Sequence, residues 1–127
     1  MIYVDSCMFI YSIEDLSAKG DAVRARFAMF ADQLVASPLV ELECRVGPLR
    51  DGNAILLRRF ERAFARVRML DMSPAVYRQA ATVRARYGTK AMDSLHLATA
   101  QVHECDSLWT NDLRLQNAAG GLAIETF

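Results

Sequence analysis

No apolar run in the 127-residue sequence approaches the ~20 residues needed to cross a bilayer, so a membrane-spanning helix is not expected. The opening Met1-Ile2-Tyr3-Val4-Asp5 lacks a basic segment and meets a carboxylate at position 5, so it does not read as a secretion signal. Cysteine is scarce. Cys7, Cys44 and Cys105 are odd in number and far apart, which argues against both a disulfide framework and the close ligand pairs of a zinc site. They read as small buried hydrophobes in a protein of the reducing cytoplasm. Internal repeats, low-complexity stretches and linkers are also missing. Net charge is absent too, since 15 basic residues meet 15 acidic ones. Taken alone, that argues against a protein that holds nucleic acid by bulk positive charge.

What is present is enough apolar material for one core. Hydrophobic residues make up 53% and charged residues 24%, the balance of a single globular domain over residues 1–127. The neutrality is a cancellation of blocks. Residues 1–44 carry a net of −4, residues 45–86 a net of +7 from ten arginines, and residues 87–127 a net of −3.

Short apolar runs alternate with helical patterns. Ile2-Tyr3-Val4 is a strand-like run that stops at Asp5. Val23, Phe27, Phe30 and Leu34 recur at helical spacing and predict a helix over 21–33. Leu34-Val35-Ala36 is a second short run. Ser37-Pro38 predicts a helix start, with Ser37 as the cap, and Gly47-Pro48 predicts its stop. A helix follows over 53–66, then a short strand over 67–70. Ser73-Pro74 repeats the cap-and-proline start of a helix that ends at Gly88. Further helices are expected over 91–103 and 112–118, with strands at Ser107–Thr110 and near Leu122–Glu125. This alternation predicts an α/β fold: a three-layer α/β/α domain around a central, mainly parallel sheet. Right-handed crossovers then place every strand's carboxyl end on one edge, where open α/β sheets bind ligands.

That topology turns scattered acids into a cluster. Asp5 follows the first strand and Asp112 lies just beyond the Ser107–Thr110 strand. Glu41 and Glu43 lie on the helix after the second strand, and Asp93 falls in the first turn of its helix. Each acid alone suits ordinary turn or capping chemistry. Together, on apolar surroundings, they point to function. Clustered carboxylates repel unless a cation or protons intervene. A hard cluster of oxygen ligands without histidine or cysteine suits Mg²⁺ or Mn²⁺, metals that serve phosphoryl chemistry. Arg58, Arg62 and Arg66 repeat every four residues along one helix face, either to meet phosphates or simply as a solvated face. His96 lies one helical turn from Asp93 and reads as a packing residue or a support for the site; His103 reads as a surface residue.

Four segments carry a family resemblance: Tyr3-Val4-Asp5-Ser6, Ser37-x-Leu39-x-x-x-Glu43, Met92-Asp93-Ser94-Leu95-His96-Leu97-Ala98-Thr99-Ala100, and Trp109-Thr110-Asn111-Asp112. In order and spacing they resemble PIN-domain ribonucleases, most of all the VapC toxins of toxin–antitoxin pairs. The resemblance spans the chain. It implies a PIN-like fold and an endoribonuclease that depends on Mg²⁺ or Mn²⁺. It also implies an RNA substrate, a small antitoxin partner and a homodimer. Carried over to this sequence, it makes Asp5 and Asp93 direct metal ligands. Glu43 then binds metal directly or through water, and Asp112 completes the acidic pocket. Ser6 and Thr110 would support the site by hydrogen bonds, and Asn111 would shape the turn that presents Asp112. Glu41 and Glu43 point roughly 200° apart on a helix, so they cannot share a role. The spacing from Ser37 favours Glu43.

Two other classes compete. A catalytically inactive PIN-fold module would bind RNA or protein without cutting. A phosphatase would use Asp5 as nucleophile, but such enzymes pair it with an acid two residues on, where this chain has Cys7.

Overall fold

A computed structural model describes residues 1–127. Five parallel strands form the sheet: β1 (Ile2–Val4), β2 (Leu34–Ala36), β3 (Arg68–Met69), β4 (Ser107–Trp109) and β5 (Ala123–Glu125), in the order β3-β2-β1-β4-β5. Helices flank the sheet as expected of an α/β fold: α1 (Ser6–Glu14), α2 (Ala18–Met29), α3 (Pro38–Asp51), α4 (Ala54–Phe64), α5 (Pro74–Tyr87) and α6 (Ala91–Val102). None of them is long and apolar enough to cross a membrane.

β1 sits at the centre because its three residues can be buried on both faces, as parallel strands under helices require. Tyr3 lies beside Val35 of β2 on one side and Leu108 of β4 on the other. The ladder continues past the strand ends. Asp5 N–H donates to the Trp109 carbonyl at 3.0 Å, and Thr110 N–H donates to the Glu125 carbonyl at 3.0 Å. These bonds hold Asp5 and Thr110 at the carboxyl edge of the sheet. The main core is aromatic, with Phe9 edge-on to Phe27 and Phe64, and Trp109 edge-on to Phe30. A smaller apolar cluster of Val76, Ala80 and Ala98 joins α5 to α6.

The structure departs from the sequence expectations at four places. Residues 6–14 form a helix that no pattern flagged, because Asp5 itself caps it: Asp5 Oδ1 accepts the Ser6 N–H at 2.6 Å. The helix expected over 21–33 begins earlier, at Ala18, and gives way to a 3₁₀ turn over Ala31–Gln33. α3 does not stop at Gly47-Pro48 but runs to Asp51 and ends at Gly52, whose φ of +64° suits glycine. Pro48 lacks a helix N–H, yet it is buried with Leu39, Val40 and Cys44, and that packing outweighs the cost. Finally, neither Ser37 nor Ser73 caps its helix with its side chain; the Ser37 hydroxyl bonds Tyr3 instead.

Candidate functional site

Asp5 stands where β1 ends and α1 begins. The N-terminus of a helix favours a carboxylate, so its capping role and its place at the sheet edge agree. Oδ1 accepts the Ser6 N–H and, at 3.2 Å, the Ser6 hydroxyl; Oδ2 accepts the Thr110 hydroxyl at 2.8 Å. These bonds occupy both lone-pair sites of Oδ1 and leave one on Oδ2. Ser6 and Thr110 are thus both placed against Asp5. Ser6 Oγ also donates to Glu43 Oε1 at 3.2 Å, tying α1 to α3.

Glu43 meets the imidazole of His96, whose Nε2 bonds Glu43 Oε1 and lies 3.5 Å from Asp5 Oδ1. Donor atoms of Asp5, Glu43 and His96 all fall within 4.8 Å of one another. Burial opposes charge on Glu43, but the His96 hydrogen bond and charge, with Ser6, hold its carboxyl below the usual range. Burial likewise disfavours a charged His96. The bond to Glu43 and the negative charges of Asp5, Glu43 and Asp93 outweigh that and push it up.

Asp93 differs. It is half-buried in the first turn of α6, and its carboxylate accepts no hydrogen bond from the protein. Burial, and then the charges of Asp5 and Asp112, push its carboxyl up, partly offset by His96 and Arg114. Asp112 caps the 3₁₀ turn Leu113–Ala118 and is gripped by Arg114 in a two-point pair, Nε to Oδ1 at 2.9 Å and Nη2 to Oδ2 at 2.7 Å. That bond holds its carboxyl below the usual range. An open cavity of about 320 Å³ adjoins the pair, lined by Tyr87, Lys90, Asp93, Asp112, Arg114 and Asn117 among others.

Asp5, Glu43, Asp93 and Asp112, read from four distant segments, therefore share one electrostatic neighbourhood at the carboxyl edge. The donor group includes His96 Nε2, a departure from the cluster of oxygen ligands alone that the sequence suggested, because α6 carries the buried imidazole between Asp5 and Glu43; the Asp93 carboxyl nearby accepts no hydrogen bond from the protein. Asp5, Glu43 and His96 are close enough to share one ion, and the surrounding carboxylates fit a hard divalent cation there, so this group is the chain's candidate metal site. Glu41 is not part of it; it pairs with Arg45 on α3. Asn111 turns away, its amide donating to Tyr11 Oη at 2.8 Å, while the turn to Asp112 is closed by Asp112 N–H on Thr110 Oγ1 at 3.2 Å. Burial, then the Asp5 charge, pushes the Cys7 thiol up to about 12, which disfavours the thiolate.

The arginine stripe is not gathered at the cleft. Arg58 and Arg62 are exposed and make no side-chain bond. Arg66 borders an apolar cavity with Leu34, the first residue of β2, and so faces the opposite edge. The cations that line the cleft are Lys90 and Arg114. Sequence reasoning passed over both. Lys90 directly precedes α6 and Arg114 lies two residues past Asp112, so proximity to the acidic motifs was the available signal.

The family model for the PIN domain matches residues 2–121. Among solved structures the fold is similar to VapBC2 from Rickettsia felis bound to a promoter DNA fragment, with a TM-score of 0.81 and 18% identity, over 100% of this chain and 99% of that one. It is similar to a toxin–antitoxin complex from Klebsiella pneumoniae, at TM-score 0.78 and 20% identity, over 99% and 97% of the two chains. It is also similar to DNA-bound VapBC from Salmonella typhimurium, at 0.77 and 19%, over 98% and 96%. At these identities the likeness is one of fold. No curated protein matches the sequence.

Proposed function

The chain belongs to the PIN domain family, and on that premise we propose that it is the nuclease toxin of a toxin–antitoxin pair: an endoribonuclease that depends on Mg²⁺ or Mn²⁺. The observation that carries this reading is the convergence of Asp5, Glu43 and His96 within 4.8 Å of one another, with the Asp93 carboxyl coupled to Asp5 by charge and free of hydrogen bonds from the protein. Asp5, Glu43 and Asp93 would hold the cation, and Asp112 would complete the pocket. When bound, the cation would supply polarisation of the phosphodiester and an activated water at neutral pH. Ser6 and Thr110 fix the Asp5 carboxylate so that it does not swing when charge accumulates. Lys90 and Arg114 line the cavity next to the acids and would take the RNA phosphates nearest the cut. Arg58, Arg62 and Arg66 would meet only phosphates farther along the strand.

The decisive experiment is RNA cleavage by the purified protein. Cleavage that needs Mg²⁺ or Mn²⁺, stops with EDTA and is lost in Asp5→Asn and Asp93→Asn supports the reading. Activity that persists in both variants removes it. An inactive PIN-fold binding module would be recognised by the absence of Mn²⁺ binding in the cleft.

The similar structures include a toxin–antitoxin complex and two VapBC assemblies. By extension we assign this chain a small antitoxin partner that covers the acidic cleft with a basic side chain. Homodimer formation and a cytoplasmic location belong to the same proposal. Co-expression with an upstream short reading frame, followed by size-exclusion chromatography, tests partner and dimer together.

A further inference from the structure

Ser37, Tyr3 and His96 form a buried line of hydrogen bonds that ends on Glu43. Ser37 Oγ lies 2.7 Å from Tyr3 Oη, Tyr3 Oη lies 2.8 Å from His96 Nδ1, and His96 Nε2 meets Glu43 Oε1. Ser37 and Tyr3 are 0% exposed and His96 1%, so water does not compete for these bonds. The line crosses the fold, from the turn after β2, through the middle of β1, to α6 and then α3.

Its direction is set by its end. A carboxylate only accepts, so the hydrogen between Nε2 and Oε1 belongs to His96. In the neutral ring Nδ1 then accepts from the Tyr3 hydroxyl, and Tyr3 accepts from Ser37. Tyr3 and His96 each have a partner on either side, and Ser37 ends the line on Tyr3. Buried polar groups cost stability that apolar residues of the same size would not. Ser37 also gives up the helix-capping bond its position offers. The arrangement therefore serves the residue at its exposed end. Glu43 is the least buried member, with 28% of its side chain accessible, and its Oε2 accepts no hydrogen bond.

We propose that His96 is a positioning residue for Glu43: backed by Tyr3 and Ser37, it holds Oε1 beside Asp5 and leaves Oε2 as the atom offered to a cation. This rests on reading the cleft as a divalent-cation site. Outer partners of metal ligands typically change affinity by roughly 10–100-fold when removed.

The test is Mn²⁺ titration of the whole protein by calorimetry, with thermal melts to establish that each variant is folded. His96→Leu is expected to weaken Mn²⁺ binding by about tenfold or more. Tyr3→Phe, which deletes one hydroxyl, should weaken it less. His96→Gln places an amide N–H near the Nε2 position and should recover most of the affinity. Unchanged affinity in His96→Leu, or equal losses in the Gln and Leu variants, overturns the proposal. If the unaltered protein binds no Mn²⁺, the cation reading falls, and long-range proton–nitrogen NMR of the His96 ring then decides the positioning claim. A protonated Nε2 whose resonance moves in Glu43→Gln upholds it; an Nε2 without a proton overturns it.

Discussion

The two sides of the acidic cluster are built on opposite principles. On the Asp5–Glu43 side, every carboxylate is tied to neutral donors or to His96, and the hydroxyls of Ser6 and Thr110 reach across from different elements. On the Asp93–Asp112 side, one acid has no hydrogen bond and the other is held by an arginine that is itself 77% exposed. The first side is fixed by the fold. The second is open to the cavity and to charge brought from outside. A site that must bind a cation and then a polyanion needs both: a rigid half to define position, and an unsatisfied half to supply the driving force.

This contrast can be broken by experiment. The largest effect is expected from Asp5→Asn, which removes charge from the fixed half while keeping its shape. RNA cleavage should fall by more than about 100-fold, since a ligand should matter more than its outer partners. A fall no greater than that of Arg114→Ala would erase the distinction between the halves. Thr110→Val tests the fixed half more gently. It removes the donor to Asp5 Oδ2 from a buried site and should weaken Mn²⁺ binding by roughly tenfold in calorimetry. The melting temperature should drop as well, because a buried acceptor loses its partner.

The pH dependence of stability separates the halves next. His96 is raised above its ordinary 6.5, so its contribution is full below about pH 6.5 and is lost as pH rises through its folded-state value. Glu43 is lowered below its ordinary 4.5, so its contribution is present above about 4.5 and is lost as pH falls through its lower folded-state value. Thermal melts in EDTA should therefore be highest between these limits, and His96→Gln should flatten the alkaline side. Asp93 carries the opposite sign. Its carboxyl is raised, so ionising it destabilises the metal-free fold. Asp93→Asn should then melt a few degrees higher than the unaltered protein at neutral pH in EDTA, while losing cleavage, the pattern of a site that trades stability for function. A lower melting temperature for that variant would contradict the open character of this half.

Arg114→Ala should reduce RNA affinity several-fold and leave the melting temperature nearly unchanged, because exposed pairs contribute little. The smallest effect belongs to Arg66→Ala, which borders the opposite edge and should change only the salt dependence of binding. A large loss of cleavage in that variant would restore the arginine stripe to the site.

Much of this was legible in the residues. Strands that stop at Asp5 and Thr110, and helices that open on Ser-Pro pairs, specify parallel βα units, and those units imply that Asp5, Glu43, Asp93 and Asp112 share an edge. The charge blocks read less well. A stripe of arginines at i, i+4, i+8 fixes a helix face but says nothing about where that face points, and α4 carries it away from the cleft. Helix ends also escaped. Gly47-Pro48 carries a local stop signal, and the burial of Pro48 on the inner face of α3 overrides it.

The sequence by itself determined the class of fold, the acids and the chemistry they suit, because strand and helix periodicity and carboxylate spacing are local properties of the chain. Only the tertiary structure decided how those acids are divided. That Ser37 abandons its cap to reach Tyr3, that Tyr3 meets His96, and that His96 meets Glu43 are contacts spanning 34, 93 and 53 positions. No periodicity encodes them. They follow from β1 and β2 lying side by side with α3 and α6 packed against them, which brings these side chains together.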